Sequence, residues 1–180
     1  MSKYLVIAGV SGSGKSVLTD NLVKDYPEYF IKMEQLTTRK KRDTDTDDTY
    51  VFIKREEDFL KLNHLLIGRT HFNGNHYGSI PLPENEKRVG IIILNEEGLK
   101  DFLENTDKNK DSIYVLGLDK CMSDIIVERE GRDGSILNKE KQVLILCDLV
   151  LWTPKDVYVK TSEVFELVFE GLELLFDDDM

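Results

Sequence analysis

Gly9-Val10-Ser11-Gly12-Ser13-Gly14-Lys15-Ser16 stands between an apolar run, Tyr4-Leu5-Val6-Ile7-Ala8, and a segment in which Val17, Leu18, Leu22 and Val23 recur at helical spacing. A continuous apolar run ended by glycine is the pattern of a strand buried on both faces of a parallel sheet. Tyr26-Pro27 punctuates the end of the helix. Strand, glycine loop and helix in that order, carrying GxxxxGK[ST], are the signature of a loop that cradles phosphate. The glycines let the backbone curl until successive N–H groups point at an anion, and the helix adds the positive end of its dipole. Contacts to ATP are expected from Gly9, Ser11, Gly12, Ser13, Gly14, Lys15, Ser16 and Val17. Lys15 is expected to reach the β- and γ-phosphates and to act in catalysis, and Ser16 to ligate Mg2+. A turn that merely packs a helix onto a strand would explain neither residue.

Outward from this unit, strands alternate with helices, which predicts an α/β fold with a parallel sheet flanked by helices. The spacing predicts a second strand over Phe30–Leu36, a polar loop from Thr37 to Thr49, and a strand at Tyr50–Ile53. A short helix is expected over Arg55–Leu62 and a strand over Leu65–Phe72, making residues 37–80 an inserted subdomain. The core pattern resumes with a strand over Val89–Leu94, a helix near residues 96–104, a strand over Ser112–Leu118 and a helix over Cys121–Glu130. A polar helix, the strand Leu149–Trp152 and an amphipathic helix over Ser162–Phe176 complete the chain. Its 180 residues fit one domain.

A formal net charge of −10 repels phosphate backbones and anionic membrane surfaces, so neither nucleic acid nor membrane is an expected partner. Cys121 and Cys147 match neither a CxxC redox pair nor a zinc cluster, and Met1 to Lys3 run straight into a strand rather than a signal peptide. A reduced, cytoplasmic setting is the expectation. His64, His71 and His76 are read as surface or substrate-edge residues rather than metal ligands.

The phosphate loop leaves the acceptor open, because many ATPases, GTPases and kinases share it. Arg39-Lys40-Lys41-Arg42 puts two guanidinium forks three residues apart in an acidic protein, which suits either a grip on a second phosphate or a solvated basic patch. Thr37-Thr38-Arg39-x-x-Arg42, then Tyr50-x-Phe52, Arg55-Glu56-Glu57-x-Phe59 and Gly74-Asn75-His76-Tyr77-Gly78-Ser79 follow one another in this chain. Together with the phosphate loop and Glu130-Gly131-Arg132 in the lid position, they resemble the guanylate kinases in order and spacing over about residues 3–132. The resemblance implies one P-loop kinase domain over residues 1–180, with a monophosphate-binding subdomain at 37–80 and a short lid at 129–141. It implies that Arg39, Arg42, Tyr50 and Tyr77, with Ser79, hold the acceptor, and that Arg39 and Arg132 act with Lys15 in the transfer. Arg129 and Arg132 are placed on ATP.

Guanylate kinases read guanine with a serine, a glutamate and an aspartate, and these positions hold Gln35, Gly68 and Asn95 here. Amides both donate and accept, and glycine offers no side chain, so guanine's N1–H and 2-amino donors lose their carboxylate partners. Ile93 replaces an acidic residue near the metal, with Glu96 and Glu97 nearby in sequence. The upstream lid arginine falls at Glu128 beside Arg129, the downstream one has no counterpart, and Lys139 and Lys141 offer point charges without a fork. The expected activity is therefore ATP-dependent phosphorylation of a nucleoside or deoxynucleoside monophosphate with a shifted base preference. A kinase of a phosphorylated sugar and a binding module without catalysis remain alternatives. Oligomeric state is not legible.

Overall fold

Residues 2–43, 45, 50–107, 111–120, 141–153 and 159–172 are described by a computed structural model of the chain. Strand β1 (Lys3–Gly9) lies at the centre of a five-stranded sheet because its side chains are apolar on both faces. Leu5 and Ile7 pack on one face with Leu18 and Leu22 of helix α1 (Lys15–Asp25) and with Val164 and Val168 of helix α4 (Thr161–Leu172). Tyr4, Val6 and Ala8 pack on the other with Leu99 and Phe102 of helix α3 (Glu96–Asn105). The neighbours of β1 are β7 (Val89–Ile93) and β8 (Ser112–Lys120), while β2 (Phe30–Lys32) and β9 (Leu149–Thr153) form the edges. Every pairing is parallel, in the order β2-β7-β1-β8-β9.

A second sheet has the order β4-β3-β6-β5, from β3 (Gln35–Thr37), β4 (Val51–Phe52), β5 (Ile67–Phe72) and β6 (Asn75–Ser79). Strands β3 and β4 are parallel, whereas β6 runs antiparallel to both β3 and β5. Its own small core joins Leu36 and Leu66 to Phe59 of helix α2 (Glu56–Leu62). This sheet is fastened to the main core through β5 and α3. Arg69 donates from Nε and Nη2 to Asp101 Oδ1 at 2.9 and 2.7 Å, and its backbone N–H donates to Asp101 Oδ2 at 2.7 Å.

Most elements fall where hydrophobic periodicity places them, and one differs in kind. The single strand expected over Phe30–Leu36 is two, β2 in the main sheet and β3 in the small one. Met33 donates its N–H to Ile91 and packs in the main core, while Leu36 packs beside Phe59. Glu34 and Gln35 break the apolar alternation between Met33 and Leu36, and the crossing from one sheet to the other falls at that break. Only Val51–Phe52 of the expected strand at Tyr50–Ile53 is strand, and Leu65 belongs to a 3-10 turn, Asn63–Leu65, ahead of β5. Strand β8 continues two residues beyond Leu118. The segment Lys141–Leu146 forms a 3-10 helix. The expected helix over Cys121–Glu130 and the lid up to Glu140 lie outside the described residues, as does the end of the closing helix beyond Leu172. No described helix is long and apolar enough to cross a membrane.

Phe102 is fully buried and meets the Tyr4 ring edge-on at 5.2 Å, which ties α3 to β1. Phe102→Ala should cost about 3–5 kcal/mol through lost transfer energy and a residual cavity, read as a lowered midpoint in urea unfolding.

Candidate active site

The loop from Gly9 to Gly14 turns at the C-terminal end of β1, where ligands of parallel sheets collect. Gly9 has φ 130°, and a Cβ there would lie 2.0 Å from the Leu118 carbonyl oxygen on β8, so no side chain fits. Gly14 caps α1 in the left-handed region, with no side chain bonding to the first-turn N–H groups. An N-terminus left in this way suits an anion. Lys15 Nζ arches back over the loop and donates to the carbonyls of Gly9 and Val10 at 2.9 and 2.6 Å. Ser13 is buried and its Oγ finds no hydrogen-bond partner among the described residues, an orphaned polar atom that a phosphate oxygen would satisfy. Ser16 and Val17 are exposed on the first turn of α1.

A second polar cluster lies on the small sheet, in a cleft of about 460 Å³ lined by Arg39, Lys40, Lys41, Arg42, Asn73 and Tyr77. The Arg39 backbone N–H donates to Thr37 Oγ1, which itself donates to the His76 carbonyl on β6, so the basic loop is anchored at its first residue. The Arg39 guanidinium sits 5.3 Å from the Tyr50 ring and 5.4 Å from the Phe52 ring. The Tyr50 and Tyr77 rings meet edge-on at 6.0 Å. Burial, followed by the Tyr77 hydroxyl, pushes the Tyr50 phenol above its ordinary value, which keeps it protonated and able to donate.

The occupant of the Arg39 fork is a residue that motif reading did not select. Arg39 Nη1 and Nη2 donate to the two oxygens of Asp45 at 2.8 and 3.1 Å, and the Arg42 N–H donates to Oδ2 at 2.6 Å. The Arg39 hydrogen bonds, with help from the Arg42 N–H, hold the Asp45 carboxyl down at about 2. Within a run of threonine and aspartate its composition resembles solvated loop, and only the folded turn reveals the pairing.

The three altered base positions have distinct environments. Gln35 on β3 donates from Nε2 to Ser79 Oγ at 3.3 Å and to the Ile93 carbonyl at 3.4 Å. Gly68 has φ 63° where the β5–β6 register shifts, and its backbone packs under Leu94. That conformation favours glycine, so a side chain at this position would be strained. Asn95 is the N-cap of α3: its Oδ1 accepts from the Gly98 N–H at 2.8 Å while Nδ2 donates to Thr70 Oγ1. Glu96 pairs with Lys100, and Glu97 accepts from Thr70 at 2.8 Å. His76 meets Glu56 and stacks on Phe59, and among the described residues no three potential metal ligands cluster. Arg129, Arg132 and Lys139 lie outside the described residues, while Lys141 pairs with Asp119.

The chain is similar to known proteins in sequence and in fold. The family model for guanylate kinase matches residues 1–87, which hold both the phosphate loop and the arginine and tyrosine cluster. The guanylate kinase of Rhizobium meliloti is 29% identical over 180 residues, covering 96% of this chain and 81% of that protein. The chain thus resembles the guanylate kinases in sequence. The guanylate kinase of Helicobacter hepaticus is 30% identical over 129 residues, which take in 62% of this chain and 64% of that protein. Several matched relatives are spanned over only about half their length, as with 56% of the Anaplasma phagocytophilum enzyme. The crystal structure of guanylate kinase from Anaplasma phagocytophilum superposes with a TM-score of 0.66 at 16% identity, covering 98% of this chain and 87% of that one, which shows the shared fold.

Because the folded pKa of Asp45 is depressed, its contribution to stability is present above the ordinary carboxylate value of about 4 and is lost as pH falls toward about 2. Acid titration of Asp45→Asn should show a weaker stability loss than wild type between about pH 4 and 2, measured by thermal unfolding.

Proposed function

We propose that this guanylate kinase-like chain transfers the γ-phosphoryl group of ATP to a nucleoside or deoxynucleoside monophosphate whose base is not restricted to guanine. The observation that carries the reading is the Arg39 fork, nearly buried at 11% side-chain exposure and grouped with the Tyr50 and Tyr77 rings. A fork that already embraces two oxygens of a carboxylate suits two oxygens of a phosphate equally well.

In this mechanism ATP lies on the backbone N–H groups of the loop, with Ser13 Oγ and the first turn of α1 meeting its phosphates. Arg39, Arg42, Tyr50 and Tyr77 hold the acceptor phosphate. One acceptor oxygen attacks the γ-phosphorus as the bond to the β,γ-bridging oxygen breaks, and ADP leaves with that electron pair. Lys15 leaves its two loop carbonyls to neutralise charge on the β- and γ-oxygens. Mg2+, when bound, supplies further neutralisation, and exposed Ser16 is the residue that would hold it. Arg132, with Arg129, would add positive charge from the lid, and the setting proposed is cytoplasmic.

Base selection follows from what the three altered positions offer. Gln35 spends its amide N–H groups on Ser79 and Ile93, and Asn95 spends its carbonyl on the α3 cap. Gly68 offers no side chain, so no carboxylate stands at these three positions to accept from guanine. Discrimination by unpaired polar groups is steep when such partners exist and shallow when they do not.

A coupled ADP-release assay across purine and pyrimidine monophosphates, with phosphorylated pentoses included, tests the reading. Turnover of at least one nucleotide other than GMP is expected. Activity confined to the pentoses, or ATP binding without turnover of any acceptor, would replace it with the sugar-kinase or binding-module alternative. Lys15→Ala should lower kcat by about 100-fold or more, whereas Arg39→Ala should raise the acceptor KM by about 10- to 100-fold through loss of a charged bidentate pair.

A further inference from the structure

We infer that Asp45 stands in for the acceptor phosphate, so that a monophosphate must displace it to reach Arg39; this rests on the kinase reading above. Three donors converge on the Asp45 carboxylate: Arg39 Nη1, Arg39 Nη2 and the backbone N–H of Arg42. They come from the two arginines assigned to the acceptor. A tight turn returns the carboxylate to them, since the Asp45 N–H donates to the Arg42 carbonyl at 3.0 Å.

The guanidinium edge that presents Nη1 and Nη2 is the one committed to Asp45. Nη1 also donates to the Lys40 carbonyl at 3.0 Å, and the group is held beside the Tyr50 and Phe52 rings. Its two-pronged edge therefore takes one anion at a time. The internal carboxylate and an incoming phosphate compete, and the apparent affinity for the acceptor falls by the fraction of molecules in which the fork is open.

This competition also selects among anions. A carboxylate carries one charge, whereas a monophosphate dianion carries close to two and three acceptor oxygens. The dianion displaces Asp45 more effectively than a monoanion of similar shape. Asp45 is thus a specificity-determining residue that lowers acceptor affinity while excluding weaker anions, and it sits on the loop that binds the acceptor rather than in the transfer step.

The test is steady-state kinetics of wild type, Asp45→Asn and Asp43→Asn with an accepted monophosphate. Asp45→Asn should lower the acceptor KM by about three- to tenfold, with kcat and the ATP KM unchanged. Asp43 is exposed and two residues away, so Asp43→Asn removes the same charge without touching the fork and should leave KM at the wild-type value. An unchanged KM in Asp45→Asn, or an equal fall in Asp43→Asn, overturns the inference. So does a raised KM, which would make Asp45 a positioning residue for Arg39. Calorimetric titration with inorganic phosphate separates this idea from the kinase reading. Should no variant turn over any monophosphate, tighter phosphate binding by Asp45→Asn still supports the displacement and equal binding refutes it. Asp45→Ser serves the same comparisons if the asparagine variant does not fold.

Discussion

Burial of β1 on both faces is the constraint from which the site follows. Leu5 and Ile7 commit one face to α1 and α4, and Tyr4, Val6 and Ala8 commit the other to α3. A strand fixed in this way has nowhere to carry polar chemistry except its end. There Gly9 passes so close to the Leu118 carbonyl that a Cβ would lie 2.0 Å from it. The chain turns on glycines and α1 begins without a side-chain cap, which leaves its first-turn N–H groups suited to an anion. Packing thus determines where an anion can be held.

The proposed acceptor side is built differently. Its sheet has a core of only a few residues, Leu36, Phe59 and Leu66, and is tied to the larger domain through Arg69–Asp101 and the glycine at 68 under Leu94. The functional groups ride on this smaller body, with Arg39 anchored through Thr37 to β6. A small body fastened by a charged pair and one close backbone approach suits the proposed phosphoryl transfer, in which two phosphates must be brought together and water excluded.

Electrostatics links the two halves. The chain is strongly acidic overall, yet the cleft on the small sheet collects Arg39, Lys40, Lys41 and Arg42. Part of that local positive charge is neutralised by Asp45, whose carboxyl is held at about 2 and therefore remains charged at any physiological pH. In the proposed displacement, the balance between this basic cleft and its internal anion sets how readily a ligand enters.

The order of strands and helices, the phosphate loop and the arginine and tyrosine cluster were all legible in the residues. Each depends on local rules: apolar runs for buried strands, glycines where φ is positive, and forks where phosphate is held. Asn95 read as an altered base contact, and it also caps α3 through a local bond from the Gly98 N–H, which an asparagine ahead of Glu96-Glu97 signals. Two features were decided by tertiary structure. Glu34 and Gln35 break the apolar alternation, but only packing shows that Met33 and Leu36 enter two different cores. Asp45 looked like one more solvated aspartate until the turn at Arg42 carried it to Arg39. Sequence determines which groups are available. Which of them meet depends on long-range packing and on turns whose geometry no local pattern encodes.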